Sequence, residues 1–160
     1  MSDPLATIFR HNLWANLRLI DCCAALTSEQ LNATLAGTFG TIRDTLEHIV
    51  TSEQSYFSRI STGQRYPRPD DAPPLSMEEM LALARATGSG LIEWAPKVQA
   101  GDTVEVDWDG TPRDVPKSII LAQVINHATE HRSQIMAVLT QIGVEPPDLQ
   151  PWEYFDQLEQ

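Results

Sequence analysis

Four stretches of the chain repeat apolar residues at i, i+3, i+4 spacing, which predicts helices with one buried face. The first carries Leu5, Ile8, Phe9, Ala15, Leu19 and Cys23, with Asn12 and Asn16 on the same face. Asp3 is placed to cap it, and Pro4 suits the first helical position, where no N–H is required. Two amides on an apolar face need partners, so this face meets something polar. The second stripe is Ile42, Leu46, Ile49, Glu53, Phe57 and Ile60, opened by Thr41 with Asp44 at capping-box spacing and closed by Gly63. The third helix runs from Met77 to about Trp94, opened by the box Ser76/Glu79 and weakened by Gly88 and Gly90. The fourth, opened by Pro116 and Ser118, reads Ile120, Val124, His127, His131, Ile135, Val138, Ile142, and Gly143 ends it.

Between these lie shorter features. Thr27 with Gln30 predicts a short helix to about Leu35. Residues 63–74 hold four prolines and Asp70-Asp71, so they form a crossover that is not helical. Thr103 to Trp108 alternates with period two, and Asp109-Gly110 is a hairpin signal before Thr111–Val115. Trp152, Tyr154 and Phe155 in the tail predict packing on the bundle or on a second copy. The sum is an all-α bundle with one small β-hairpin before the last helix, and 160 residues fit a single domain, 1–160.

Composition narrows the function. The net charge of −11, with no basic stripe, argues against nucleic acid and against anionic membranes as partners. No apolar run is long enough to span a bilayer. The Met1-Ser2-Asp3-Pro4 start lacks the features of a secretory signal. Cys22 and Cys23 are adjacent and poorly placed to bridge each other, which points to a reducing cytoplasm. They are expected to serve as small core or boundary residues.

Chemistry concentrates on histidine. His127 and His131 are one helical turn apart and project from one face, a spacing that offers two nitrogens to one metal ion. A hydrogen-bonded pair of core histidines has the same spacing, and position 128 is Ala, so the glutamate of HExxH is missing. His48 lies roughly 140° from the centre of its own apolar stripe, taking 100° per residue. A site of His48, His127 and His131 would therefore open at the rim of the bundle, with room for water or a thiolate. Gln134 shares the histidine face and either binds a water or substrate beside the histidines or is a surface glutamine near the bundle end. Glu130 is expected to be solvated. Glu53 either orients a ligand histidine or bonds Asn12, Asn16 or Trp14, the second being favoured. His11 is expected at the surface rather than in the site.

Three segments together resemble the DinB/YfiT-like family of metalloenzymes. They are His11-Asn12-Leu13-Trp14-Ala15-Asn16, Leu46-Glu47-His48-Ile49 with Glu53, and Asn126 to Ile135 around His127, His131, Arg132 and Gln134. His11 stands where the family commonly has tyrosine, and Ser133 where it has glycine. The resemblance implies a four-helix bundle with long crossover connections, usually a homodimer. It also implies a divalent metal, zinc or nickel, on His48, His127 and His131. The activity implied is transfer of a low-molecular-weight thiol, or hydrolysis, on a small molecule. The alternative is a stress-response or binding module with a structural metal.

Overall fold

The computed structural model describes residues 3–69 and 71–159; Met1 and Ser2 of the N-terminal reading, and Asp70 of the crossover, lie outside them. Helix α1 spans Pro4–Ala24, with Asp3 Oδ1 accepting from the Leu5 and Ala6 N–H groups. Helix α2 covers only Ser28–Leu31. It stops short of Leu35 because the chain turns there: Ile42 N–H donates to Ala33 O, and Gly37 takes a left-handed φ of 91°. Helix α3 is Ile42–Thr62 and α4 is Met77–Trp94, each opened by the expected capping box. Strands β1, Thr103–Val106, and β2, Arg113–Pro116, pair antiparallel with Val106 opposite Arg113. Helix α5 is Lys117–Gln141 and α6 is Pro151–Leu158.

The four long helices form a ring in the order α1, α4, α3, α5. The crossover of residues 63–76 runs back along the bundle and makes α4 parallel to α3: Arg43 near the start of α3 donates to Leu75 O, while Gly90 meets Phe57 further along. Helix α5 runs antiparallel to α3, since His48 meets His127 and Lys117 Nζ donates to Ile60 O. The fold is thus an all-α four-helix bundle with long crossovers and a small hairpin. No helix among the described residues is long and apolar enough to cross a membrane.

Two glycines of α4 are explained by packing rather than by turns. A Cβ at Gly90 would stand 2.3 Å from Phe57 Cζ, and one at Gly88 would stand 2.7 Å from Leu13 Cδ1. Their absence of side chain lets α3 and α1 approach, which outweighs their low helix propensity.

The apolar core is in two parts. One gathers Ala15, Leu19, Ile49, Ala128 and Ile135; the other gathers Phe9, Ile60, Leu91, Val124 and the hairpin's Val104 and Val106. A buried polar belt of Asn12, Asn16, Glu53 and Arg132 lies between them along α1, α3 and α5.

Two local expectations are corrected. The hairpin has no two-residue Asp109-Gly110 turn: Asp107 Oδ1 accepts from Asp109 N and Gly110 N, drawing the chain into a longer loop before β2. The buried face of α5 centres on Val124, Ala128 and Ile135, turned by roughly 40° from the expected stripe at 100° per residue. His131 is buried but His127 is half-buried, at the edge of that face. Of the three tail aromatics, Tyr154 packs on the bundle as expected, against His11 and Trp14, while Trp152 is 77% exposed and Phe155 50%.

Candidate metal centre

Helix α3 supplies His48 and helix α5 supplies His127 and His131. One potential ligand atom from each lies within 4.8 Å of the others. Among the described residues no cysteine or carboxylate joins them. The Nε2 atoms of His48 and His127 are 2.9 Å apart, one donating its proton to the other. Nitrogens around one tetrahedral ion at zinc distances stand roughly 3.3 Å apart. The trio brackets that separation, so small side-chain movements suffice to fit a divalent ion. For all three to ligate through Nε2, the shared proton has to leave or move to Nδ1.

Gln134 settles the third tautomer. Its Oε1 accepts from the Phe39 backbone N–H at 3.0 Å and lies 3.1 Å from His131 Nδ1. A backbone N–H only donates, so the atom facing it is oxygen and not the amide nitrogen. His131 Nδ1 therefore carries the proton, and its Nε2 keeps a free lone pair. This is the hydrogen bond by which metal-binding imidazoles are usually oriented. Gln134 is thus no free surface residue: it joins the His131 ring to the Phe39 backbone.

The electrostatics suit a neutral donor set. Burial lowers the pKa of His127 to about 4, with His131 and His48 adding to it. Burial also lowers His48, followed by the effect of His131. Both rings are held neutral at pH 7, the form in which imidazole ligates. Phe39, from the loop before α3, stacks on His48 at 4.0 Å between ring centres and meets His131 edge-on at 5.3 Å. Tyr56 meets His127 edge-on at 5.7 Å. His48 and Tyr56 also line a polar cleft of about 460 Å³.

The other candidates lie elsewhere. Glu53 is not at the histidines: its Oε2 accepts from Asn12 Nδ2 at 2.9 Å and Asn16 Nδ2 at 3.1 Å. Trp14 takes no part, donating instead to Gln157 Oε1. His11 Nε2 meets Leu149 O at 2.9 Å, away from the trio. Glu130 is exposed. Cys22 and Cys23 are free thiols, and burial pushes Cys23 up to about 12 with Cys22 adding to it, so it is no nucleophile at neutral pH.

Sequence reasoning missed Arg132 and Phe39. Arg132 Nη1 donates to Asn12 Oδ1 at 2.8 Å and Asn16 Oδ1 at 2.6 Å, so the two amides link a guanidinium to the Glu53 carboxylate. Two asparagines and a glutamate on buried stripes were the available signal for a buried cation. Phe39 sits in a loop with no periodicity, and nothing in the sequence marked it.

A cavity of about 780 Å³ touches none of the three histidines. It is an apolar groove between α1, α5 and the C-terminal segment.

Comparison with known proteins agrees with this architecture. A crystal structure of a DinB-like protein from Bacillus cereus ATCC 10987 is similar with a TM-score of 0.62 and 23% identity, over 87% of this chain and 91% of that one. A DinB-like protein from Bacillus subtilis, YjoA, has a TM-score of 0.62 at 15% identity, over 89% and 97%. At these identities the likeness concerns the fold. No curated protein matches the chain. The DinB family matches residues 1–158, and the chain belongs to that family.

Proposed function

We propose that the protein is a metal-dependent enzyme acting on a small molecule, by transfer of a low-molecular-weight thiol or by hydrolysis. The observation that carries this reading is that three convergent imidazoles, with no fourth protein ligand among the described residues, adjoin a polar cleft through His48. Structural zinc sites are closed by four ligands, whereas catalytic ones keep a position for water or substrate. His48, His127 and His131 would hold the ion. When bound, a divalent ion supplies Lewis acidity toward a thiol or a water molecule. Gln134 keeps the His131 proton on Nδ1, Phe39 shields one side of His48, and Tyr56 borders the route from the cleft.

The test is elemental analysis of the purified protein and of His48→Ala, His127→Ala and His131→Ala. One equivalent of zinc or nickel in the parent, lost in each variant together with turnover of a thiol-transfer or ester substrate, is expected. Unchanged metal content in the variants refutes the ligand set. Metal loss that lowers the melting temperature, with no turnover on any thiol or ester substrate, would instead favour a structural metal in a binding module.

We also propose a homodimer through the apolar groove, where Ile8, Phe155 and Leu158 lie exposed beside Ile125 and Met136. The two free cysteines support residence in a reducing compartment, the cytoplasm.

A further inference from the structure

The cleft beside His48 gathers positive charge on an acidic molecule. Against a net charge of −11, three of the eleven basic residues, Arg59, Arg65 and Arg68, line this one cavity. Arg68 is already engaged, its Nη2 donating to Glu47 Oε1 at 2.9 Å and to Pro73 O at 3.1 Å. Arg59 is 9% exposed, yet its partners are neutral: Nη1 donates to Ser55 O at 3.3 Å and Ser55 Oγ at 2.6 Å. Neither Arg59 nor Arg65 has an ion-pair partner among the described residues. The two are close enough that Arg65, after burial, lowers the Arg59 pKa, while Tyr56 opposes the shift. The one described carboxylate lining the cleft, Asp107, has Oδ1 committed to the backbone of its own loop.

A buried cation facing a second cation across a concave wall is costly unless an anion comes between them. Guanidinium is also the group whose planar fork matches carboxylate and phosphate oxygens. The helix sets the distance from these arginines to the histidines. His48, Ser52, Ser55, Tyr56 and Arg59 follow one another at i, i+4, i+7, i+8 and i+11 on one face of α3, and all line the cleft. At 1.5 Å per residue this face spans roughly 16 Å along the axis.

We infer that Arg59 and Arg65 bind the anionic end, a carboxylate or a phosphate, of an extended small-molecule substrate whose thiol or scissile group lies at the histidines. The inference rests on the proposed role of the three histidines as the reactive end. It adds the substrate's charge and the direction in which it lies along α3.

Calorimetric titration of the full chain, zinc-loaded and metal-free, tests it with two pairs of thiol probes. Glutathione is compared with its diethyl ester, and phosphopantetheine with pantetheine, so each pair differs in its anionic groups alone. In at least one pair the anionic form binds tenfold or more tightly, and which pair does so tells carboxylate from phosphate. Arg59→Gln abolishes that preference, Arg59→Lys retains part of it, and Arg65→Gln lowers it at least threefold. Because Arg65 is exposed, Arg65→Gln tests the idea even if Arg59→Gln does not fold. Equal affinity within both pairs, no binding of any probe, or an unchanged preference in Arg65→Gln overturns the inference. Elemental analysis separates it from the metal proposal: an anion preference without bound zinc refutes only the latter, and stoichiometric zinc without an anion preference refutes only the former.

Discussion

Arg132 is 5% exposed and reaches Glu53 only through the amides of Asn12 and Asn16. Burial lowers its pKa to about 10, and Glu53 opposes the shift. Glu53 is itself raised by burial, while Asn12, Arg132 and Asn16 pull it back. Removing one partner of such a buried set strands the other charge, which costs about 3–5 kcal/mol. Arg132→Met is therefore expected to lower stability by about that amount in urea denaturation. Arg132→Lys should also destabilise, because one ammonium nitrogen cannot stand both at the two amide oxygens, where Nη1 is, and at Thr129 Oγ1, where Nη2 is. The histidines give a second expectation. His48 and His127 have folded pKa values below the ordinary 6.5, that of His127 at about 4. Below pH 6.5 the unfolded chain takes up protons that the folded chain refuses, so stability falls as the pH drops toward 4 and is complete above 6.5. Melting temperatures of the metal-free protein between pH 4 and 7.5 check this. Converting both histidines to glutamine should flatten the curve in that window, and a curve of unchanged slope would show that the two rings are not responsible.

At the scale of elements, the capping boxes at Thr41 and Ser76 start α3 and α4 where the sequence places them. The prolines of the crossover and Gly63, with its left-handed φ of 77°, stop α3 where expected. These signals are local, and local signals are legible in one chain. The face of α5 is less legible, for a different reason. Ala128 is a weak apolar anchor and Arg132 none, yet both are buried, Ala128 in the core cluster with Ala15 and Ile49 and Arg132 at the amides of Asn12 and Asn16. The α4 glycines follow the same logic, weak helix formers in sequence but points of close approach in the fold. Gly90→Ala would drive a methyl into the Phe57 ring, and overpacking of this kind costs about 1–3 kcal/mol. Pairing Gly90→Ala with Phe57→Leu should recover part of the loss, measured by chemical denaturation. Equal destabilisation with and without Phe57→Leu would locate the strain elsewhere.

For the whole molecule, the polar belt divides one core into two, and the histidines open at its edge. That His48 would face outward was readable from its offset from the α3 stripe. That α3 and α5 would be neighbours was not, because helix order depends on long crossovers and not on any one segment's periodicity. It entered through resemblance. Helix order also leaves an apolar groove between α1, α5 and the tail, the proposed dimer face. Ile8→Asp and Phe155→Asp, separately, should convert a dimer to a monomer in sedimentation velocity without changing helix content. A parent protein that sediments as a monomer at micromolar concentration would end that proposal.

The oxygen of Gln134 serves two donors, the His131 ring and the Phe39 backbone. A single atom thus joins the basicity of a candidate ligand to the position of the loop that stacks on His48. Linkage makes this reciprocal: whatever factor loop docking adds to metal affinity, metal binding returns to loop docking. The loop before α3 then acts as a reporter of occupancy. Amide exchange at Phe39 should therefore slow on metal binding, although Phe39 itself contributes no ligand, and that response should be lost in Gln134→Ala.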